Sequence, residues 1–210
     1  MNAAESASLQ ASSLPGSSPT GSSPAGNWLK ANFRWMALLP LGFFIARAIQ
    51  YIYVAKTPEQ ILWSCHISNL MMAVGIFFRI PWLIRISAFW QILGLPPWVI
   101  DMFNSGITPI SVITHLGGCT VAMVALWVVR SERGSWLPSL VYFIILQQIT
   151  KLLTVPGPYT NVNVAHFAYG GMKDWFASYW TYWLANTAVT AVVLWLMDWG
   201  LAKIFPKRQS

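Results

Sequence analysis

An imidazole, two hydroxyls, a thiol and a carboxamide stand together in the stretch Trp63-Ser-Cys-His-Ile-Ser-Asn69, inside a run from Ile61 to Phe78 that is otherwise apolar enough to cross a bilayer. Polar groups in hydrocarbon need partners, because each one left unsatisfied costs several kcal/mol. Such a cluster therefore marks a site by default. At 100° per residue, Ser68, Cys65, Asn69 and His66 fall within roughly 160° of one another, so one helix face can present all four.

The chemistry these types allow is nucleophilic. Ser68 could attack a carbonyl while Asn69 donates to the developing oxyanion. His66, or His115 from another apolar run, could take the proton, since imidazole titrates near neutral pH. Cys65 is a second candidate nucleophile. Each has a structural alternative: Ser68 bonding the Ser64 carbonyl one turn back, the histidines bridging helices, and the thiol simply packing. Arg47 lies about eight residues, roughly 12 Å, before its helix ends, which is beyond comfortable snorkelling. It needs an anionic ligand group such as phosphate or carboxylate, or an internal acceptor such as Gln148. Gln147, Gln148 and Tyr159 belong to the same region, as substrate contacts or as interhelical hydrogen bonders.

The elements that must carry these residues follow from composition. Of 210 residues 56% are hydrophobic and 9% charged, with 13 tryptophans and a mean hydropathy of +0.52; ordinary soluble domains are roughly 45–50% apolar and 25% charged. An all-α, polytopic membrane bundle is expected. The net charge of +7 does not indicate nucleic acid, because the basic residues sit between apolar runs and form no stripe with exposed aromatics. Residues 1–27, rich in Ser, Pro and Gly, read as a disordered tail without the basic start and apolar core of a secretory signal. Residues 28–204 read as a six-helix domain and 205–210 as a short basic tail.

The spans are expected at about Trp35–Val54, from a Thr57-Pro-Glu-Gln60 capping box to Arg79, Pro81 to about Leu95 ending at Pro96-Pro97, Thr108 to Val129, Trp136 to about Thr154, and Phe176 to Met197. Trp98–Thr108, carrying Asp101, reads as a loop or dipping segment. Six spans put both termini on one side, where nine Lys and Arg residues lie against three opposite, so both termini are expected in the cytoplasm of a multi-pass cell-membrane protein. That topology places Arg47, His66, His115, Gln147 and Gln148 in the outer half, lining one polar cavity, with Tyr159 and His166 in the loop above.

Two non-hydrolytic readings compete. Histidines at similar depth on separate helices could ligate one haem for electron transfer, non-covalently because no CxxCH occurs. The polar groups could instead line a transporter or only pack an assembly factor. No metal site is expected, since no HxxxH or HExxH spacing occurs.

The motif His66-Ile-Ser68-Asn69 near the start of the second span resembles the His-x-(Cys/Ser)-(Asp/Asn) pattern of the YwaF-like bacterial integral membrane proteins, relatives of a eukaryotic transmembrane phospholipid acyltransferase. Resemblance continues through a short third span, Thr108-Pro-Ile, His115 and an Asn/Tyr-bearing loop before the last span, over about Pro58 to Met197. It implies a helical bundle relaying an acyl group from membrane lipids, with Ser68 where the acyltransferase has its cysteine and His115 where it has its partner histidine. A serine there would need stronger base assistance than a thiolate.

Overall fold

The computed structural model describes residues 28–29, 31–157, 160–168 and 170–207. The chain divides into two units, Met1–Ala31 and Asn32–Ser210. In the first, the described residues Trp28, Leu29 and Ala31 are helical, and the tail expected at 1–27 lies outside the described residues. The second unit holds everything below.

Every regular element among the described residues is helical. We name α1 Phe33–Val54, α2 Ser64–Phe78, α3 Pro81–Leu93, α4 Leu95–Ser105, α5 Pro109–Val129, α6 Trp136–Leu153 and α7 Tyr179–Ile204. Five helical segments are long and apolar enough to cross a membrane: α1, Pro81–Phe103, α5, α6 and α7; α2, at 15 residues, is shorter. Large apolar side chains such as Leu39, Ile45, Phe78, Ile113, Leu152 and Val189 lie exposed on their outer faces, a surface that suits lipid and not water. This is the build of a multi-pass membrane protein.

Sequence rules account for the starts of α5 and α7. Thr108 caps α5, its hydroxyl accepting from the Ser111 amide, with Pro109 in the first turn; Ser178 and Thr181 form a reciprocal capping box on α7. Two expectations are corrected. Pro96-Pro97 does not stop the third span: the prolines fall in the first turn of α4, where a missing N–H has no helical partner to lose, and the Trp98 amide still bonds the Gly94 carbonyl at 3.2 Å. The segment thus runs 23 residues to Phe103. No capping box forms at Thr57; Gln60 Oε1 accepts from the Trp63 indole at 2.7 Å, and α2 starts only after Trp63 takes up an extended conformation.

Helix α7 reaches beyond Met197, so that Asp198 is buried within it and accepts the Gly134 amide at 2.9 Å. The chain after it is also anchored: Phe205 is buried, its carbonyl takes the Ser131 amide at 3.0 Å, and Lys207 pairs with Glu132 at 3.2 Å. Helix α1 packs on α2 and α5, α3 on α2, α5 and α6, and α6 on α7. The core they share includes Met72, Ile76, Ile84, Phe89 and Leu126.

Candidate functional site

The first turn of α2 is held from two sides. The Asn163 side chain, from the loop after α6, accepts the Ser64 amide at 2.8 Å and donates to the Leu62 carbonyl at 2.7 Å and to Thr150 Oγ1 at 3.0 Å. It thereby supplies the cap that no residue before α2 provides. On the other side, Asn69 Nδ2 and Gln91 Nε2 both donate to the Cys65 carbonyl, at 3.1 and 3.0 Å. Cys65 sits between these anchors, half-buried.

Helix α5 brings His115 to the same point. Its glycine pair permits the approach: a Cβ on Gly117 would stand 2.6 Å from Phe43 of α1, and one on Gly118 2.5 Å from Gln91 of α3. His115 Nδ1 lies 2.9 Å from the Ser111 carbonyl. A carbonyl only accepts, so Nδ1 carries the hydrogen, and in the neutral ring the Nε2 lone pair is left facing outward from that bond. It faces the Cys65 thiol at 3.6 Å. Trp98 stacks on the ring at 4.9 Å between centroids and 7° between planes, fixing its rotation. His66 completes the group, with Nδ1 3.7 Å from the same sulfur and its ring centroid 5.8 Å from that of His115.

The structure thus brings His66 and His115 together, but around Cys65 and not Ser68. Ser68 is 0% exposed, with its Oγ 3.5 Å from the Tyr142 hydroxyl. Its expected bond to the Ser64 carbonyl is made instead by Tyr142, at 3.4 Å. Neither histidine hydrogen-bonds Ser68. Asn69 is likewise committed to the Cys65 carbonyl, so its amide holds the α2 turn and is not directed at an oxyanion on Ser68.

Arg47 is 7% exposed and reaches Gln50 Oε1 and the Tyr51 hydroxyl, each at 2.6 Å, on its own helix. The expected acceptor Gln148 is elsewhere, donating to the Tyr179 hydroxyl at 3.3 Å. Gln147 is fully buried and donates to the Asn163 and Val164 carbonyls at 3.3 and 3.1 Å, so it secures the loop. Tyr159 lies outside the described residues. His166 bonds Thr154 Oγ1 at 2.7 Å; Thr154 gives its own hydrogen to the Thr150 carbonyl, so His166 Nε2 is the donor. Partial burial and the nearby Lys151 charge push the His166 pKa down.

Sequence reasoning missed Tyr51, Trp98, Tyr142 and Asn163 as parts of the site. Tyr51 was recoverable, four residues after Arg47 on one helix face; the others are joined to α2 or α5 only by tertiary structure. Among the described residues no group of three or more His, Cys, Asp or Glu side chains is placed to hold a metal ion. The His66 and His115 ring centroids lie 5.8 Å apart, with His66 Nδ1 and His115 Nε2 both against the Cys65 sulfur, contacts that iron ligation through those two nitrogens would replace. Comparison with protein-family models, curated proteins and solved structures finds no match.

Proposed function

We propose that this chain is a cell-membrane lipid acyltransferase or hydrolase of six spans with both termini in the cytoplasm, using Cys65 as nucleophile and His115 as base. One observation carries the reading: a half-buried thiol 3.6 Å from His115 Nε2, with the far nitrogen of that ring anchored to the Ser111 carbonyl. Nucleophile, base and orienting acceptor in sequence is the arrangement that thiol acyl transfer requires.

In the reaction Cys65 Sγ attacks the ester carbonyl carbon of a lipid and its proton passes to His115 Nε2. The tetrahedral adduct then collapses, the C–O bond breaks, and the departing alcohol takes that proton, leaving a thioester and a lyso-lipid. An acceptor hydroxyl, from a second lipid or from water, attacks the thioester; its proton returns through His115 to the sulfur. Two imidazoles against one thiol favour this over a purely structural role, since a packing cysteine needs neither.

Membership of the YwaF-like family remains part of the proposal, with one change. The nucleophile moves from Ser68 to Cys65, three residues earlier and so on the same helix face. Turnover of ester lipids in liposomes tests the function: Cys65→Ala is expected to abolish it and Ser68→Ala to leave it within a few-fold of wild type. Full activity in Cys65→Ala would refute the assignment.

A further inference from the structure

Transfer of the Cys65 proton makes His115 an imidazolium, yet the acceptor on its far nitrogen is neutral. Nδ1 donates to the Ser111 carbonyl at 2.9 Å, in the position that Asp, Glu or Asn occupies in Ser-His and Cys-His triads. A carboxylate buried there would be costly to desolvate. A charge formed on this ring needs another source of stabilisation.

Helix α4 supplies one. Gly94 precedes it, and a Cβ on that residue would stand 3.3 Å from the Cys65 Cβ, so the helix begins directly against the nucleophile. One turn on, Trp98 lies face to face with His115, 4.9 Å between centroids and 7° between planes, and its indole N–H donates to Ser111 Oγ at 2.7 Å. Trp98, Ser111 and His115 thereby close a loop of three contacts, in which one buried indole fixes both the imidazole and the residue that orients it. Stacking leaves both ring nitrogens free in the imidazole plane, Nδ1 for Ser111 and Nε2 for Cys65 Sγ at 3.6 Å. The face of an indole is the negative end of a quadrupole, and its attraction for a cation grows where water is excluded. No desolvated anion is required.

Two charged side chains also act on His115, with opposite sign: Arg47 of α1 and Asp101 of α4. Asp101 follows Trp98 by three residues and shares its side of α4. The carboxylate is exposed and screened by solvent, whereas the indole is buried against the ring.

We propose that Trp98 is the positioning residue of the base: its indole face holds His115 against Cys65 and stabilises the imidazolium formed when Cys65 Sγ gives its proton to Nε2. The assignment rests on the thiol-imidazole pair of the acyl-transfer reading, but it concerns proton transfer within that pair and not the lipid.

Alkylation of Cys65 by iodoacetamide reads this step without any lipid. The thiol passes its proton to His115, the thiolate displaces iodide as the C–S bond forms, and the proton leaves His115 for water. In purified full-length protein carrying Cys119→Ala, the tryptophan at position 98 is replaced by its mono-, di-, tri- and tetrafluorinated forms, which keep the shape of the ring and drain electron density from its face. The alkylation rate near neutral pH is expected to fall step by step, about tenfold over the whole series, while the thermal unfolding temperature stays unchanged. The same series in His115→Ala is expected to be flat. A rate indifferent to fluorination, which is what a purely structural tryptophan gives, would overturn the proposal, and so would a fall of equal size in His115→Ala. Fluorine dependence in a protein that turns over no lipid would count against the acyl-transfer reading and leave the role of Trp98 standing.

Discussion

Cys65 Sγ and His115 Nε2 stand 3.6 Å apart although 50 residues separate them in the chain. Three independent contacts produce this meeting: Asn163 caps the turn that carries the thiol, the Gly117-Gly118 pair lets α5 approach, and Ser111 with Trp98 fixes the imidazole. The two histidines are consequently not equivalent. Both touch the sulfur, but the Nδ1–H bond to Ser111 defines the tautomer of His115 alone.

Replacement of the two should separate them. His115→Ala is expected to lower lipid turnover by about 10²–10⁴-fold, the usual worth of a general base, while His66→Ala stays within about tenfold of wild type. Steady-state assays in liposomes make the comparison, and a larger loss at His66 would reverse the assignment of the base.

Asn163 should govern both stability and the placement of the thiol. It sits at φ 55° and is followed by Val164 at φ 54°, a left-handed conformation that a β-branched side chain seldom adopts. The strain is held by bonds to the Val164 carbonyl from Gln147 and Tyr182. Asn163→Gly keeps the backbone conformation accessible but removes the three side-chain bonds. It is expected to destabilise the fold by roughly 2 kcal/mol and to speed alkylation of Cys65 in a Cys119→Ala background. Unchanged thermal unfolding and alkylation would show that the α2 cap is dispensable.

His166 predicts a pH dependence in the outer loop. Burial and Lys151 hold its pKa below the ordinary value, so the folded loop favours the neutral ring. The stabilisation is present above the ordinary histidine value, about 6.5, and is lost as pH falls through the depressed value. Amide-exchange protection over residues 160–168, taken relative to the intrinsic base-catalysed rate at each pH, is expected to be greater at pH 7.5 than at pH 5, with Lys151→Gln raising the His166 midpoint towards the ordinary value. A midpoint above about 6.5 would contradict the account.

The proposed six-span topology makes a direct prediction as well. In a chain lacking Cys65 and Cys119, a membrane-impermeant maleimide should label Ala177→Cys in intact cells and Arg133→Cys only after permeabilisation. Labelling of position 133 in intact cells would invert the proposed orientation.

What could be read from the sequence was whatever local chemistry decides. The apolar runs and the Thr108-Pro109 start of α5 follow from periodicity and capping, and they appear as expected. Pro96-Pro97 misled because proline reads as a stop unless it lands in a first turn, which here depends on α4 starting afresh at Leu95 after the turn at Gly94. Ser68 and Cys65 could not be ranked from α2 alone, since both lie on one face. The choice depends on where α5 places His115 and where α6 places Tyr142, and no spacing within the sequence reports either.

The most direct test asks which atom becomes acylated. Purified protein incubated with a phospholipid bearing an alkyne-tagged acyl chain is digested and examined by mass spectrometry for a hydroxylamine-sensitive adduct. The account predicts the acyl group on Cys65 in wild type, and its loss in Cys65→Ala and His115→Ala. An adduct on Ser68, or turnover of the lipid with Cys65 unmodified at every time point, would contradict it.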